Sequence, residues 1–231
     1  MHRWRGGAVH ARYRDAMPSR EKPLIVATAN PGKLREFRAL LAGLPYRLTS
    51  LGELGIESPV ESGSSFRENA LIKARHAARA AASAGFGADA GVPPAALADD
   101  SGLEVDALNG APGIYSARYA GPDADDAANN AKLVRELAGV PATGRRARYR
   151  CVLAFLAAAD DPQPLYAEGL WEGFIVDEAQ GAGGFGYDSH FWLPELGVTA
   201  AQLDAVRKNE LSHRGAALRA LRGRLLRKSM P

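Results

Sequence analysis

The sequence predicts an α/β protein built on a mixed β-sheet, and three observations carry that reading. Short apolar runs alternate with helical patterns in the first half of the chain. In the second half two long apolar runs follow one another across a short polar break, as antiparallel partners do. No internal repeat or interdomain linker separates the halves. At 231 residues, 46% of them hydrophobic, the chain suits one domain, or one core with two lobes.

Taken in order, Leu24-Ile25-Val26-Ala27 reads as a buried strand after Pro23. The turn cluster Thr28-Ala29-Asn30-Pro31-Gly32-Lys33 leads into a helical stripe of Leu34, Phe37, Leu40 and Leu41. Residues 45–63 suggest a short strand and loops. Ser65-Phe66-Arg67-Glu68 has the S-x-x-E form of a capping box, and the Ala-rich run to about Ala84 is a helix. Residues 85–95 form a loop. Leu103 to Leu108 alternates like a half-buried strand, and Asp123 to Ala138 is helical. Tyr149 to Ala158 reads as a central strand, with Leu165 to Val176 as its antiparallel partner. A glycine-dense loop, Gly181 to Gly186, precedes an extended aromatic stretch, Tyr187 to Trp192. The last helix runs from an N-cap at Ser212 to about Lys228, with Leu218, Leu221 and Leu225 on one stripe.

The net charge of +3 conceals an uneven distribution. Residues 1–22 carry +4 and residues 211–231 carry +6, which leaves −7 on the body between them. Basic ends can be nucleic-acid arms. Here they do not interleave aromatic residues with the charges, so a disordered basic leader over 1–22 and the solvated face of a terminal helix are expected, and no nucleic-acid partner. The leader weakly resembles a transit peptide, and Met17 is read as the natural start. No stretch has the apolar core of a secretory signal or the roughly 18 apolar residues of a membrane span, so no membrane partner and a cytoplasmic location are expected. A single cysteine, Cys151, excludes an intrachain disulfide and the CxxC zinc patterns.

Four segments hold residue types that suit chemistry. Thr28 to Lys33 lies between a strand and a helix, where backbone N–H groups, the helix dipole and the Lys33 ammonium favour an anion such as phosphate; it also reads as an ordinary strand-to-helix turn. In Asp99-Asp100-Ser101-Gly102 adjacent carboxylates repel. In a strand they would point to opposite faces, so one of them could enter a site as a Mg²⁺ ligand; the other reading is a solvated turn. Gly181 to Asp188 contains G-x-G-x-x-G, but no helix follows, so a dinucleotide site is rejected. Phe185 there could stack on a flat ring, or fill the core. Lys208 and Ser212-His213-Arg214-Gly215 put cations in the first turn of a helix, where they oppose its dipole. The four sets together describe a nucleoside triphosphate bound with Mg²⁺.

These motifs resemble the Ham1-like inosine triphosphate pyrophosphatase family. The matching segments are IVATANPGKLREF at 25–37, SFRENALIKARHAA at 65–78, ADDSGLEVDALNGAPGIYSARYAG at 98–121, GGFGYDSHF at 183–191 and LSHRGAAL at 211–218. The resemblance implies a single catalytic domain over 23–231. Its fold would be elongated and two-lobed, with a long mixed sheet flanked by helices and an active-site cleft between the lobes. It also implies a homodimer, Mg²⁺ as cofactor, and hydrolysis of ITP, dITP and XTP to the monophosphate and pyrophosphate. Carried over by position, Thr28, Ala29, Asn30, Pro31, Gly32 and Lys33 would bind phosphates, with Lys73 offsetting charge. Asp100 would be the general base and a metal ligand beside Glu61, oriented by Asp99 or Ser101, and Ser101 would touch substrate. Phe185, Gly186, Tyr187, Asp188, Lys208, His213 and Arg214 would form the base and ribose pocket. Ser189-His190 stand where relatives commonly have Pro-Ile, which leaves the shape of that loop open. The competing readings are a nucleic-acid binder that uses its basic ends and a pyrophosphatase for a modified pyrimidine nucleotide.

Overall fold

The computed structural model describes residues 21–228. The leader reading therefore falls outside the described residues, except at its boundary, where Lys22 already opens the first strand. Seven strands form one open sheet in the order β2-β1-β3-β4-β5-β6-β7. β1 (Lys22–Val26) lies parallel to β2 (Tyr46–Ser50) and β3 (Ala95–Val105), and the remaining pairs are antiparallel: β4 (Arg146–Leu156), β5 (Leu165–Ile175), β6 (Phe191–Leu193) and β7 (Val198–Thr199). The parallel pairs are joined by helices, as parallel strands require. α1 (Pro31–Leu40) links β1 to β2, and α2 (Phe66–Ser83) lies between β2 and β3. α3 (Asp126–Glu136), α4 (Ala205–Leu211) and α5 (His213–Lys228) complete the layers.

The three central strands have 11 residues each, about 36 Å of chain, and that length produces two lobes. In the first lobe the period of two divides the core between the sheet faces. Leu24 and Val26 pack with α1 and α5 on one face, while Ile25 and Ala27 pack with α2 on the other. α2 turns Phe66, Ala70, Ala74, Ala77 and Ala81 inward at helical spacing. The far ends of β3–β5 enter a second core with Leu133, Leu137, Trp171 and Phe191.

Several sequence expectations shift. Ser65 caps α2 as expected, its hydroxyl accepting from the Glu68 N–H, but Glu68 reaches back to Ser64 rather than closing the box on Ser65. The strand expected at 103–108 begins at Ala95 and includes both aspartates, and 106–108 is a turn. Tyr187 to Trp192 is extended only from Phe191, because Tyr187–His190 form the turn that folds the loop back. The short helix α4 carries no apolar stripe that periodicity could detect.

The basic face of α5 has structural occupations. Arg222 donates to the carbonyls of Leu40 and Ala42 at the end of α1, and Arg219 donates to those of Asn209 and Glu210 at the end of α4. Cations at helix C-termini satisfy orphan carbonyls and interact favourably with the dipole. Arg222→Ala is therefore expected to lower stability by about 1 kcal/mol, measured by urea unfolding. An unaltered midpoint would remove the capping role.

Candidate active site

The site lies where β1 ends and β3 continues. β1 pairs with β3 only as far as Leu97, so the β3 edge from Asp99 onward is open on that side. The Leu97 carbonyl accepts the Ala27 N–H. Two residues on, the Asp99 carbonyl points the same way, past the end of β1, and accepts the Lys73 ammonium at 3.2 Å.

Asp99 and Asp100 are both buried and face opposite sides of the sheet. Asp99 Oδ2 accepts from Lys33 Nζ at 2.8 Å, from Ser101 Oγ at 3.1 Å and from Arg214 at 3.2–3.3 Å. Arg214 also reaches Glu36 at 2.6 Å and Ser101 Oγ at 3.1 Å. Burial alone would raise the Asp99 carboxyl, but Lys33, Arg214 and Lys73 outweigh it and hold the group far below the usual carboxylate range. On the other face Asp100 Oδ1 accepts from Lys73 Nζ at 2.6 Å, and the same nitrogen contacts Glu61 at 2.5 Å. Glu61 is held from its far side by Arg118 at 3.0 Å. Burial raises the Asp100 carboxyl, with Glu61 and Asp99 adding to it and Lys73 opposing it. Asp100 Oδ2 is buried and has no protein partner.

This geometry revises one expectation. Asp99 and Ser101 bond each other, so neither orients Asp100; Lys73 does. Lys33 and Lys73, both expected to offset phosphate charge, approach from opposite faces and meet at Asp99. The phosphate loop is also more occupied than its sequence suggests. The Asn30 carboxamide accepts from the N–H groups of Gly32 and Lys33, and Thr28 Oγ1 accepts from that of Asn30. Pro31, at the first helical position, has no N–H to offer. Ala29 and Asn30 are exposed at the rim.

A cleft of about 200 Å³ adjoins the Asp99 face, and its lining includes Asn30, Lys33, Ser101, Phe185, Lys208 and His213. Its floor is Tyr149 on β4, stacked on His213 at 4.7 Å and 9°. Phe185 meets Lys208 Nζ at 4.5 Å and the Arg214 guanidinium at 5.6 Å from its ring centre. Lys208 pairs with Asp188 at 2.5 Å in a buried bridge. The Asp188 carboxylate also accepts the Phe185 N–H, and it wraps so closely around Gly184 that a Cβ there would lie 2.1 Å from Oδ2. Tyr187 donates to the Ser116 carbonyl. Gly102 lets that wall approach, since a Cβ would lie 2.4 Å from the Gly113 carbonyl. His190 is buried and bonds the Val176 carbonyl, which ties down the loop whose shape the Ser189-His190 pair left open.

The cations expected to oppose the α5 dipole are both accounted for. Burial, with Arg214 and Lys208 nearby, holds His213 well below the ordinary imidazole value, so it is neutral at pH 7. Arg214 is matched by Asp99 and Glu36, and its N–H groups are directed at them and at Ser101 Oγ. Tyr149, Ser116 and Glu36 were not anticipated. Tyr149 reads in the sequence as one more core aromatic of β4, and nothing local distinguishes it.

The residues fit a divalent cation. Asp100 and Glu61 are oxygen donors held by one nitrogen, and the second Asp100 oxygen is free of protein partners, as expected where few protein ligands share a Mg²⁺ with substrate phosphates. Among the described residues no group of three His, Cys, Asp or Glu side chains could hold a metal without substrate.

The five motif segments thus converge on one edge and one cleft, and residues 24–224 match the model of the Ham1 family. The chain belongs to the Ham1 family. A dITP/XTP pyrophosphatase from Xanthomonas oryzae pv. oryzae is 54% identical over 88% of this chain and 97% of that protein, and one from Thioalkalivibrio sulfidiphilus is 52% identical over 87% and 97%. A solved Ham1 protein from Coxiella burnetii superposes with a TM-score of 0.77 at 42% identity, covering 89% of this chain and 99% of that one. The mixed seven-stranded sheet flanked by helices is therefore the Ham1 fold.

Proposed function

We propose that this Ham1 chain hydrolyses purine nucleoside triphosphates bearing hypoxanthine or xanthine (ITP, dITP, XTP) to the monophosphate and pyrophosphate, removing them from the nucleotide pool. The observation that carries the chemistry is the unlike fate of two adjacent aspartates. Asp99 is locked among three cations, while Asp100 keeps an oxygen without a protein partner and a raised carboxyl. The substrate class rests on relatives above 50% identity that are dITP/XTP pyrophosphatases.

In this mechanism Thr28, Asn30 and Lys33 hold the triphosphate at the β3 edge, with the dipole of α1 behind them. Lys73 aligns Asp100 through Oδ1, and the Asp100 carboxylate accepts the proton of a water whose oxygen attacks the α-phosphorus. The bond from that phosphorus to the bridging oxygen breaks, and pyrophosphate leaves. A raised carboxylate pKa makes Asp100 a stronger base. Asp100 and Glu61 would hold Mg²⁺, which supplies charge neutralisation to the phosphates. The purine enters the cleft over Tyr149 and His213 and beside Phe185. A donor facing its 6-position rewards an oxo group and is left unpaired by the adenine amino group, at a cost of about 1–3 kcal/mol. We place the enzyme in the cytoplasm as a homodimer, in line with the family resemblance; among the described residues no helix is long and apolar enough to cross a membrane.

The test is pyrophosphate release from ITP, dITP, XTP, GTP, ATP and dUTP. Release from the first three is expected to exceed that from ATP by about tenfold or more per unpaired donor. Equal turnover of ATP, preference for dUTP, or release of orthophosphate would overturn the assignment.

A further inference from the structure

The purine loop has little behind it. On one side of Phe185 and Gly186 is the substrate cleft, and on the other an open pocket of about 590 Å³ lined in part by Asn130, Val134 and His190, with Asp126 bordering both. Tyr187 next to it is packed in the second core, but Gly186 has no side chain to pack, so hydrogen bonds must fix this peptide on the side of the pocket. The Gly186 N–H donates to Asp126 Oδ2 at 2.6 Å, and the Gly186 carbonyl accepts from Asn130 Nδ2 at 2.9 Å. Both partners are on α3, 56–60 residues away in sequence. The neighbouring Asn129 serves the opposite wall of the cleft, accepting the Ala120 N–H at 2.8 Å and donating to the Ala117 carbonyl at 3.2 Å.

The helix accepts a local disadvantage for this arrangement. Two of its three buried residues are Asn129 and Asn130, and Asn is a mediocre helix former whose burial is unfavourable unless it is bonded. Apolar anchoring of α3 is left to Leu133 and to Leu137 at its C-cap. Asp126 is not needed as a cap, because Asp125 caps the helix by accepting the Ala128 N–H. The side chains of Asp126, Asn129 and Asn130 thus all reach the two cleft walls, and Asn130 Nδ2 divides itself between the Gly186 carbonyl and, at 2.8 Å, the Asp126 carbonyl one turn back in α3.

We propose that Asp126 and Asn130 are positioning residues for purine recognition: they clamp the Gly186 peptide at both ends, and with Asn129 make α3 the gauge that fixes the width of the base cleft. The inference rests on the function proposed above. Asp126→Ala and Asn130→Leu each remove one bond to the loop, the latter without loss of side-chain volume. Each is expected to raise KM for XTP about tenfold, with kcat within about twofold, and to lower the XTP-to-ATP ratio of kcat/KM. Asp126→Asn keeps an oxygen acceptor for the Gly186 N–H and is expected to restore the wild-type KM. In the same variants amide hydrogen exchange at Gly186 should quicken, whether or not XTP is the substrate. Wild-type KM and selectivity in both clamp variants would overturn the proposal. So would a fall in kcat that only tracks lost thermal stability, or unchanged exchange at Gly186. An inactive wild-type enzyme on XTP would instead count against the functional reading, and the exchange measurement would still decide the clamp.

Discussion

Asp100→Asn is expected to reduce kcat for dITP or XTP by about 10²–10⁴-fold while leaving the fold as stable as the wild type or more so. The two halves of that outcome have different origins. The amide cannot accept a proton or carry a charge toward a cation, so the chemical step fails. Stability follows the sign of the pKa shift. Burial raises the Asp100 carboxyl above its unfolded value, so the ionised side chain opposes folding at any pH above that raised value. Removing the charge relieves this, and Lys73 keeps Glu61 at 2.5 Å and the Asp99 carbonyl at 3.2 Å. The stability gain should vanish as the pH falls below the unfolded carboxylate range near 4, where Asp100 is protonated in both states. Urea unfolding at pH 7 and pH 3, beside initial rates of pyrophosphate release, measures both. A variant that retains near-normal turnover would remove Asp100 from the mechanism.

How legible this was in the sequence depended on whether a signal was local. The strand at Leu24–Val26, the Ala-rich α2 and the hairpin of β4 and β5 follow from periodicity and caps, which are short-range properties. The opposite directions of Asp99 and Asp100 followed once a strand was assumed, because the side-chain period is two. The roles within the pair were not readable. Which aspartate meets Lys33 and which meets Lys73 depends on which sheet face α1 and α2 cover, a matter of chain crossing. Arg214 shows the same limit: its place in the first turn of α5 was evident, but its partners Glu36 and Asp99 lie 178 and 115 residues away. The N–H groups at the α1 N-terminus read as open to an anion because the sequence does not say which way the Asn30 side chain turns; it turns back and accepts from Gly32 and Lys33.

Asp99→Asn should show the converse of Asp100→Asn: a large loss of stability, about 3–5 kcal/mol, because Arg214 and Lys33 lose a buried counter-charge. Asp99 lies at the junction of three elements, joining Lys33 of α1 and Arg214 of α5 to β3 through one carboxylate oxygen. Glu36 still faces Arg214 in the variant, but Lys33 has no other anion within hydrogen-bonding distance among the described residues. The pH dependence has a definite sign. The folded carboxyl is held far below its unfolded value, so its contribution is complete above the unfolded value near 4 and is lost progressively as the pH falls below it. The stability gap between wild type and Asp99→Asn should therefore be widest near neutrality and narrow below pH 4, whereas the gap for Asp100→Asn, of opposite sign, closes at higher pH, as the pH falls from the raised folded value to the unfolded value near 4. Activity should fall with it, since Lys33 is the charged member of the phosphate loop and Asp99 sets where its ammonium sits. Equilibrium unfolding of the two single variants and the double variant across pH 3–7 separates the contributions. If Asp99→Asn unfolds at the wild-type midpoint, the three-element junction is not what holds α1 and α5 to the strand, and the division of labour between the two aspartates fails with it.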